Sequence, residues 1–150
     1  MKRKCVIFAG VEQFKSENGI ENAISIWVDE ANQGEIFELL GIERNRKKFR
    51  RVLYEILNNR YNHDLYRKED MSQSTLDVTA MKFSANNDRI YCREFPYEKE
   101  DKRVVMISVY RKKVQKNDKR IKNLLESVAQ YEYEFVDVEE VVDEDDDTNL

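Results

Sequence analysis

Histidine occurs once and cysteine twice in the 150 residues of this chain. Two thiols and one imidazole cannot complete a four-ligand zinc site without help from carboxylates, so no metal is expected. Cys5 and Cys92 both fall in apolar, strand-like runs and read as buried free thiols rather than a disulfide framework. Glycine is held to four and proline to one. No glycine-rich phosphate loop, His-x-x-x-His or Gly-x-Ser-x-Gly occurs, which removes the common nucleotide-binding, zinc-hydrolase and serine-hydrolase signatures and leaves no cofactor implied. Long apolar runs are missing too. Residues 5–11 are too short for a signal-peptide core and no stretch is long enough to cross a bilayer, so the expectation is a cytoplasmic chain with no membrane partner.

Charge is abundant. Charged residues make up 37% of the chain and hydrophobic residues 41%, the composition of a globular protein with a heavily charged surface. At this length one domain can bury a core without staples. The net charge of −4 hides an asymmetry. Residues 137–150 (DVEEVVDEDDDTNL) hold eight acids and no base; with them set aside, 26 bases face 22 acids. The bases cluster: six lie within RNRKKFRR at 44–51, and nine, against the single acid Asp118, lie within 102–122. A basic body with an acidic tail points to a polyanionic partner; a solvated helix face with a solubilising tail is the bland alternative. The tail is too polar to order itself. Folded back over residues 111–116, it would act as a phosphate mimic.

The coarse pattern opens with a strand over 4–9, stopped at Gly10, then a loop over 13–19. Residues 21–40 fit either a helix or, at 24–28, a strand; helix is favoured, with a break at Gly34. A clear amphipathic helix covers 43–60, with Phe49, Val52, Leu53, Ile56 and Leu57 on one face. Residues 61–74 read as polar turns. Strands follow at 76–83, 88–95 and 103–110, the last apolar on both faces and therefore central. Asn86-Asn87 suits a hairpin turn, and Pro96 argues against pairing beyond Phe95. Asn117 or Asp118 caps a closing helix that ends near Tyr133. The implied fold class is α+β, a small antiparallel sheet of about four strands with helices packed on one face. The folded domain covers 1–136.

The strand at 88–95 alternates, so Arg89, Tyr91 and Arg93 share one face. Arginine grips phosphate bidentately and a tyrosine ring stacks on an unpaired base, which makes this stripe a platform for RNA. An ordinary solvent-facing sheet surface is the alternative. Tyr110, Arg111, Lys112 and Lys113 leave the neighbouring strand toward the same hollow. Lys82, Lys116 and, on the long helix, Lys47 and Arg51 complete the nucleic-acid contacts expected. His63 reads as a surface loop residue. Nuclease chemistry on such a set would need no metal: the RNA 2′-hydroxyl attacks its own phosphate, and the protein supplies a base, an acid and positive charge.

The succession Arg89-Ile90-Tyr91, then 104–110, then Arg111-Lys112-Lys113, then Ile121 resembles the C-terminal half of the RelE/HigB/ParE toxin superfamily. The resemblance is tight over 89–116 and weaker over 43–133, leaving the N-terminal forty residues as an extension. It implies a RelE-like fold and a toxin paired with a cognate antitoxin, cleaving mRNA on the ribosome without metal. Arg89 would hold the scissile phosphate, Arg111 or Lys112 would stabilise the transition state, and Lys82 would add charge. No tyrosine or histidine falls at the family's late acid/base position. ParE-like members inhibit gyrase and cleave nothing, so a non-catalytic nucleic-acid or protein-binding module is the alternative.

Overall fold

The computed structural model describes residues 2–69, 77–83, 88–99, 101–111 and 118–136. Seven strands form one sheet: β1 (Arg3–Ile7), β2 (Ser25–Asp29), β3 (Tyr66–Lys68), β4 (Val78–Phe83), β5 (Asp88–Tyr97), β6 (Asp101–Tyr110) and β7 (Tyr133–Val136). Their spatial order is β3-β4-β5-β6-β2-β1-β7. The pairs β2–β6 and β1–β7 are parallel and the rest antiparallel. Among the described residues four helices accompany them: α1 (Val11–Asn18), α2 (Gln33–Leu40), α3 (Glu43–Leu57) and α4 (Asp118–Gln130).

This corrects the expected fold. The sheet is mixed and seven-stranded, not antiparallel with about four strands, and helices cover both faces rather than one. The physical reason lies in β6 and β2. Val104 and Met106 join the apolar cluster under α1, α2 and α3, while Val105 and Ile107 join the opposite cluster under α4. Ile26 and Val28 likewise face the first cluster and Trp27 the second. Strands apolar on both sides need cover on both sides.

Several local expectations change with it. Residues 24–28 are not helical; 25–29 form β2, because their β-branched run fills a place between β1 and β6. The expected loop at 13–19 is largely helix α1, whose buried apolar stripe is only Val11 and Phe14. Glycines at positive φ bracket it (Gly10 at 90°, Gly19 at 67°), and Ile20 N–H donates to the Lys15 carbonyl to close its C-terminus. Gly34 lies inside α2. The polar stretch 61–74 contains the short edge strand β3. The β5–β6 hairpin runs past Pro96 to the pair Tyr97–Asp101. The closing helix ends at Gln130, and the chain returns as β7 beside β1. Residues 86–87, Asn117 and the tail 137–150 fall outside the described residues. Among the described residues no helix is long and apolar enough to cross a membrane.

A buried carboxylate ties the far edge together. Asp29, fully buried at the end of β2, accepts from Arg3 Nε at 2.8 Å and Nη2 at 3.1 Å, and from the hydroxyl of Tyr133. It also accepts from Asn32 N–H, starting the 3₁₀ turn Glu30–Asn32. One side chain thus joins β1, β2 and β7.

Burial sets an alkaline limit on stability. It pushes the Cys5 thiol up to about 12, holds Cys92 well above the ordinary thiol value, and raises Tyr61, Tyr66, Tyr91 and Tyr133 above the ordinary phenol value. The unfolded chain releases these protons first, thiols near about pH 9 and phenols near about 10, while the folded chain keeps them. Stability is therefore full below about pH 8.5 and falls above it, each ionised group adding about 1.4 kcal/mol per pH unit to the loss. Lys48 and Lys82, whose pKa values are lowered, act in the opposite sense but are outnumbered. Urea midpoints measured from about pH 8 to about pH 10.5 should decline, and a rising midpoint would contradict this.

Candidate nucleic-acid interface

The antiparallel register of β4, β5 and β6 builds a row of side chains on the face that α4 partly covers. Lys82 pairs with Arg89, and Arg89 with Tyr110. The next row holds Arg67, Ala80, Tyr91 and Ser108. Directly opposed residues in such a ladder place their Cβ atoms about 5 Å apart, so Lys82 and Arg89 repel unless an anion sits between or beside them. Glu69 supplies part of that, its Oε2 lying 3.4 Å from Arg89 Nη1. Burial, then the positive charges of Arg67 and Arg89, hold the Lys82 ammonium below the ordinary lysine pKa, while Glu69 and Asp64 oppose the shift. Three cations thus meet two carboxylates. Nε of Arg67 is buried with no hydrogen-bond partner among the described residues.

The bulge beside this row has a role in its shape. Tyr91 pairs with Ser108 but Cys92 with Met106, which leaves Ile107 as the extra residue on β6. Ile107 then packs under α4 while Ser108 stays beside Tyr91. The strand end carrying Tyr110 and Arg111 follows directly.

The remaining expected contacts are distributed differently. Tyr91 is 2% exposed and packs against Tyr110 with ring centroids 6.3 Å apart, so it supports that ring and is closed to a base. Burial pushes its hydroxyl up to about 12. Arg93 shares the face but is committed elsewhere: its Nη1 donates to the Tyr131 carbonyl at 2.6 Å and reaches the Val128 carbonyl at 3.5 Å, with the guanidinium over the Phe95 ring at 4.6 Å. It closes the C-terminus of α4, where a cation also meets the helix dipole. Arg111 is exposed at the end of β6, in a hollow of about 270 Å³ shared with Tyr110, Arg120, Glu35 and Glu38. Lys47 and Arg51 lie on α3, which packs on the opposite face of the sheet. Lys112, Lys113 and Lys116 fall outside the described residues.

Two groups are not visible in the sequence pattern. Arg67 and Glu69 belong to β3 and its continuation, inside a stretch that reads as turns; the brief Tyr66-Arg67-Lys68 run is its single signal. The other group centres on Glu94, which the alternation of β5 places on the apolar face. Its Oε1 accepts from Tyr61 Oη at 2.7 Å, and its Oε2 from Tyr66 Oη at 2.6 Å and Lys102 Nζ at 2.9 Å. Thr79 Oγ1 donates to Tyr66 Oη at 2.9 Å. Here every charge has a partner, which makes this a structural tie between β3, β4, β5 and β6.

No three His, Cys, Asp or Glu side chains among the described residues stand together as a metal site. What the Lys82 row and the neighbouring Arg67 offer an anion is two guanidinium groups, an amine and a phenol at the row's end. No protein-family model, curated protein or solved structure matches this chain.

Proposed function

We propose that the chain binds single-stranded RNA through the row Lys82–Arg89–Tyr110 with Arg67 in the row beside it. The observation that carries this reading is the opposed pair Lys82–Arg89 beside the unpartnered Arg67 Nε. Three cations face the two carboxylates Glu69 and Asp64 there, and Arg67 Nε has no acceptor among the described residues; a phosphate oxygen provides one with charge. Tyr110, partly exposed at the end of the row, offers a ring face to the adjoining base. Fluorescence anisotropy with a short labelled RNA tests it directly: binding that weakens steeply with salt is expected, and no binding at low salt overturns it.

A second reading, metal-independent cleavage by a toxin, is favoured by Lys82 standing directly opposite Arg89, where burial and that positive charge disfavour its ammonium form. The Lys82 amine would take the proton of the 2′-hydroxyl. The 2′-oxygen would attack phosphorus, Arg67 and Arg89 would neutralise the developing dianion, and the 5′-oxygen would leave with the Tyr110 proton. A 2′,3′-cyclic phosphate results. On this reading expression arrests growth, and a reporter mRNA in a translation extract is cut in EDTA by the unaltered chain but not by Lys82→Ala. Binding without cutting leaves the non-catalytic module as the function.

A further inference from the structure

A groove between α1 and α3 lies on the other face of the sheet, away from the Lys82 row. Its larger part, about 590 Å³, has Phe14, Phe49 and Leu53 in its wall and Arg46, Lys47 and Arg50 on its rim. A second hollow of about 390 Å³ shares Phe14 and Arg50 with it and adds Arg51. The Arg50 guanidinium stands 5.2 Å over the Phe14 ring. Glu17 also lines the groove and Glu43 pairs with Lys47, but Arg46, Arg50 and Arg51 form no ion pair among the described residues.

The chain's exit settles which segment meets this groove first. β7 runs parallel to β1, with Val136 level with Val6. β1 continues into Phe8, Ala9 and Gly10, and these residues line the mouth of the groove. Val136, the last described residue, therefore stands at the end of the sheet where the groove opens. That end is opposite to Arg111, because β7 runs antiparallel to β6. The fourteen residues after Val136 can extend about 45 Å, and the basic stretch of α3 from Arg46 to Arg51 spans only about 7.5 Å. The segment carries eight acids, with Val138, Val141 and Val142 among them. Carboxylates match the arginine rim, and valines match the aromatic floor.

We propose that residues 137–150 dock in the α1–α3 groove of their own chain, valines on Phe14 and Phe49, acids on Arg46, Arg50 and Arg51. This places the tail on α3 rather than over residues 111–116, and it does not depend on the RNA reading.

Zero-length carbodiimide coupling of carboxylates to amines in the full chain, read by mass spectrometry of tryptic peptides, tests it. Lys47 should couple to the acids of 137–147 at least about tenfold more than the exposed Lys119 and Lys122 on α4, a preference lost in about 1 M salt. The variant Arg46→Glu/Arg50→Glu/Arg51→Glu should lose the Lys47 product as well; if it fails to fold, the salt series on the unaltered chain decides alone. Coupling spread evenly over all lysines overturns the proposal. So does coupling concentrated on Lys112, Lys113 and Lys116, which puts the tail at the other end of the sheet. A product joining two chains overturns it too, and makes the groove an interface between copies.

Discussion

Glu94→Ala is expected to lower the unfolding free energy by about 4 kcal/mol, because it removes one member of a buried, fully paired charge cluster. The Glu94 and Lys102 side chains are 14% and 10% exposed, and Tyr66 is fully buried. With the carboxylate gone, the Lys102 ammonium keeps its charge and loses its counter-ion, while the phenols of Tyr61 and Tyr66 lose their acceptor. Each stranded buried phenol costs about 1–3 kcal/mol and the stranded ammonium more, offset as water reaches the site beside the exposed ring of Tyr61. Glu94→Leu combined with Lys102→Met should recover only the share of the loss that the stranded ammonium causes, since the phenols of Tyr61 and Tyr66 still lack their acceptor. Urea melts of the two variants measure both numbers. A loss under about 1 kcal/mol for Glu94→Ala would show that water already pairs these groups.

Lys82→Ala with Arg89→Gln should weaken binding of a short single-stranded RNA by about 100-fold or more. A hydrogen bond to a charged group is worth about 1.5–3 kcal/mol, and two are removed. The slope of log affinity against log salt should flatten by about 1.4, which is about 0.7 for each phosphate of a single strand that is no longer neutralised. Lys122→Ala, on the exposed face of α4, should leave affinity within about twofold. Relief of the repulsion between Lys82 and Arg89 across β4 and β5 offsets part of the cost of leaving Glu69 without Arg89, and a urea melt of the double variant shows that it is folded before binding is compared. Two outcomes would end the RNA reading at this site: an unchanged salt slope, or equal losses for Lys122→Ala.

The long elements were legible in the sequence. The five apolar positions of α3 repeat at helical spacing and are all buried. The both-sided apolar run of β6 does lie at the middle of the sheet. Of the short elements, β1 was legible from its apolar run and the others were not. β3, β2 and β7 have three, five and four residues, too few for a period of two to stand apart from a helical stripe or a turn. The apolar stripe of α1 is two residues long. At the candidate site, alternation along β5 placed Arg89, Tyr91 and Arg93 on one face, as the register has them. It carried no information about what covers each one. Tyr91 lies under α4, Arg93 is spent on the carbonyls of Val128 and Tyr131, and only Arg89 stands in a row with Lys82 and Tyr110.

By itself the amino-acid order determined the charge asymmetry, the amphipathic helices, the three-strand meander and which residues share a strand face. These depend on composition and on periods of 2 and 3.6, which are local properties of the chain. Only the tertiary structure decided how many strands the sheet holds, that helices cover both of its faces, and that Arg67 joins Lys82 and Arg89. It also decided that Val136 stands at the end of the sheet where the α1–α3 groove opens. Those outcomes follow from pairing between segments far apart in sequence, where register and burial, rather than local preference, determine which side chains meet.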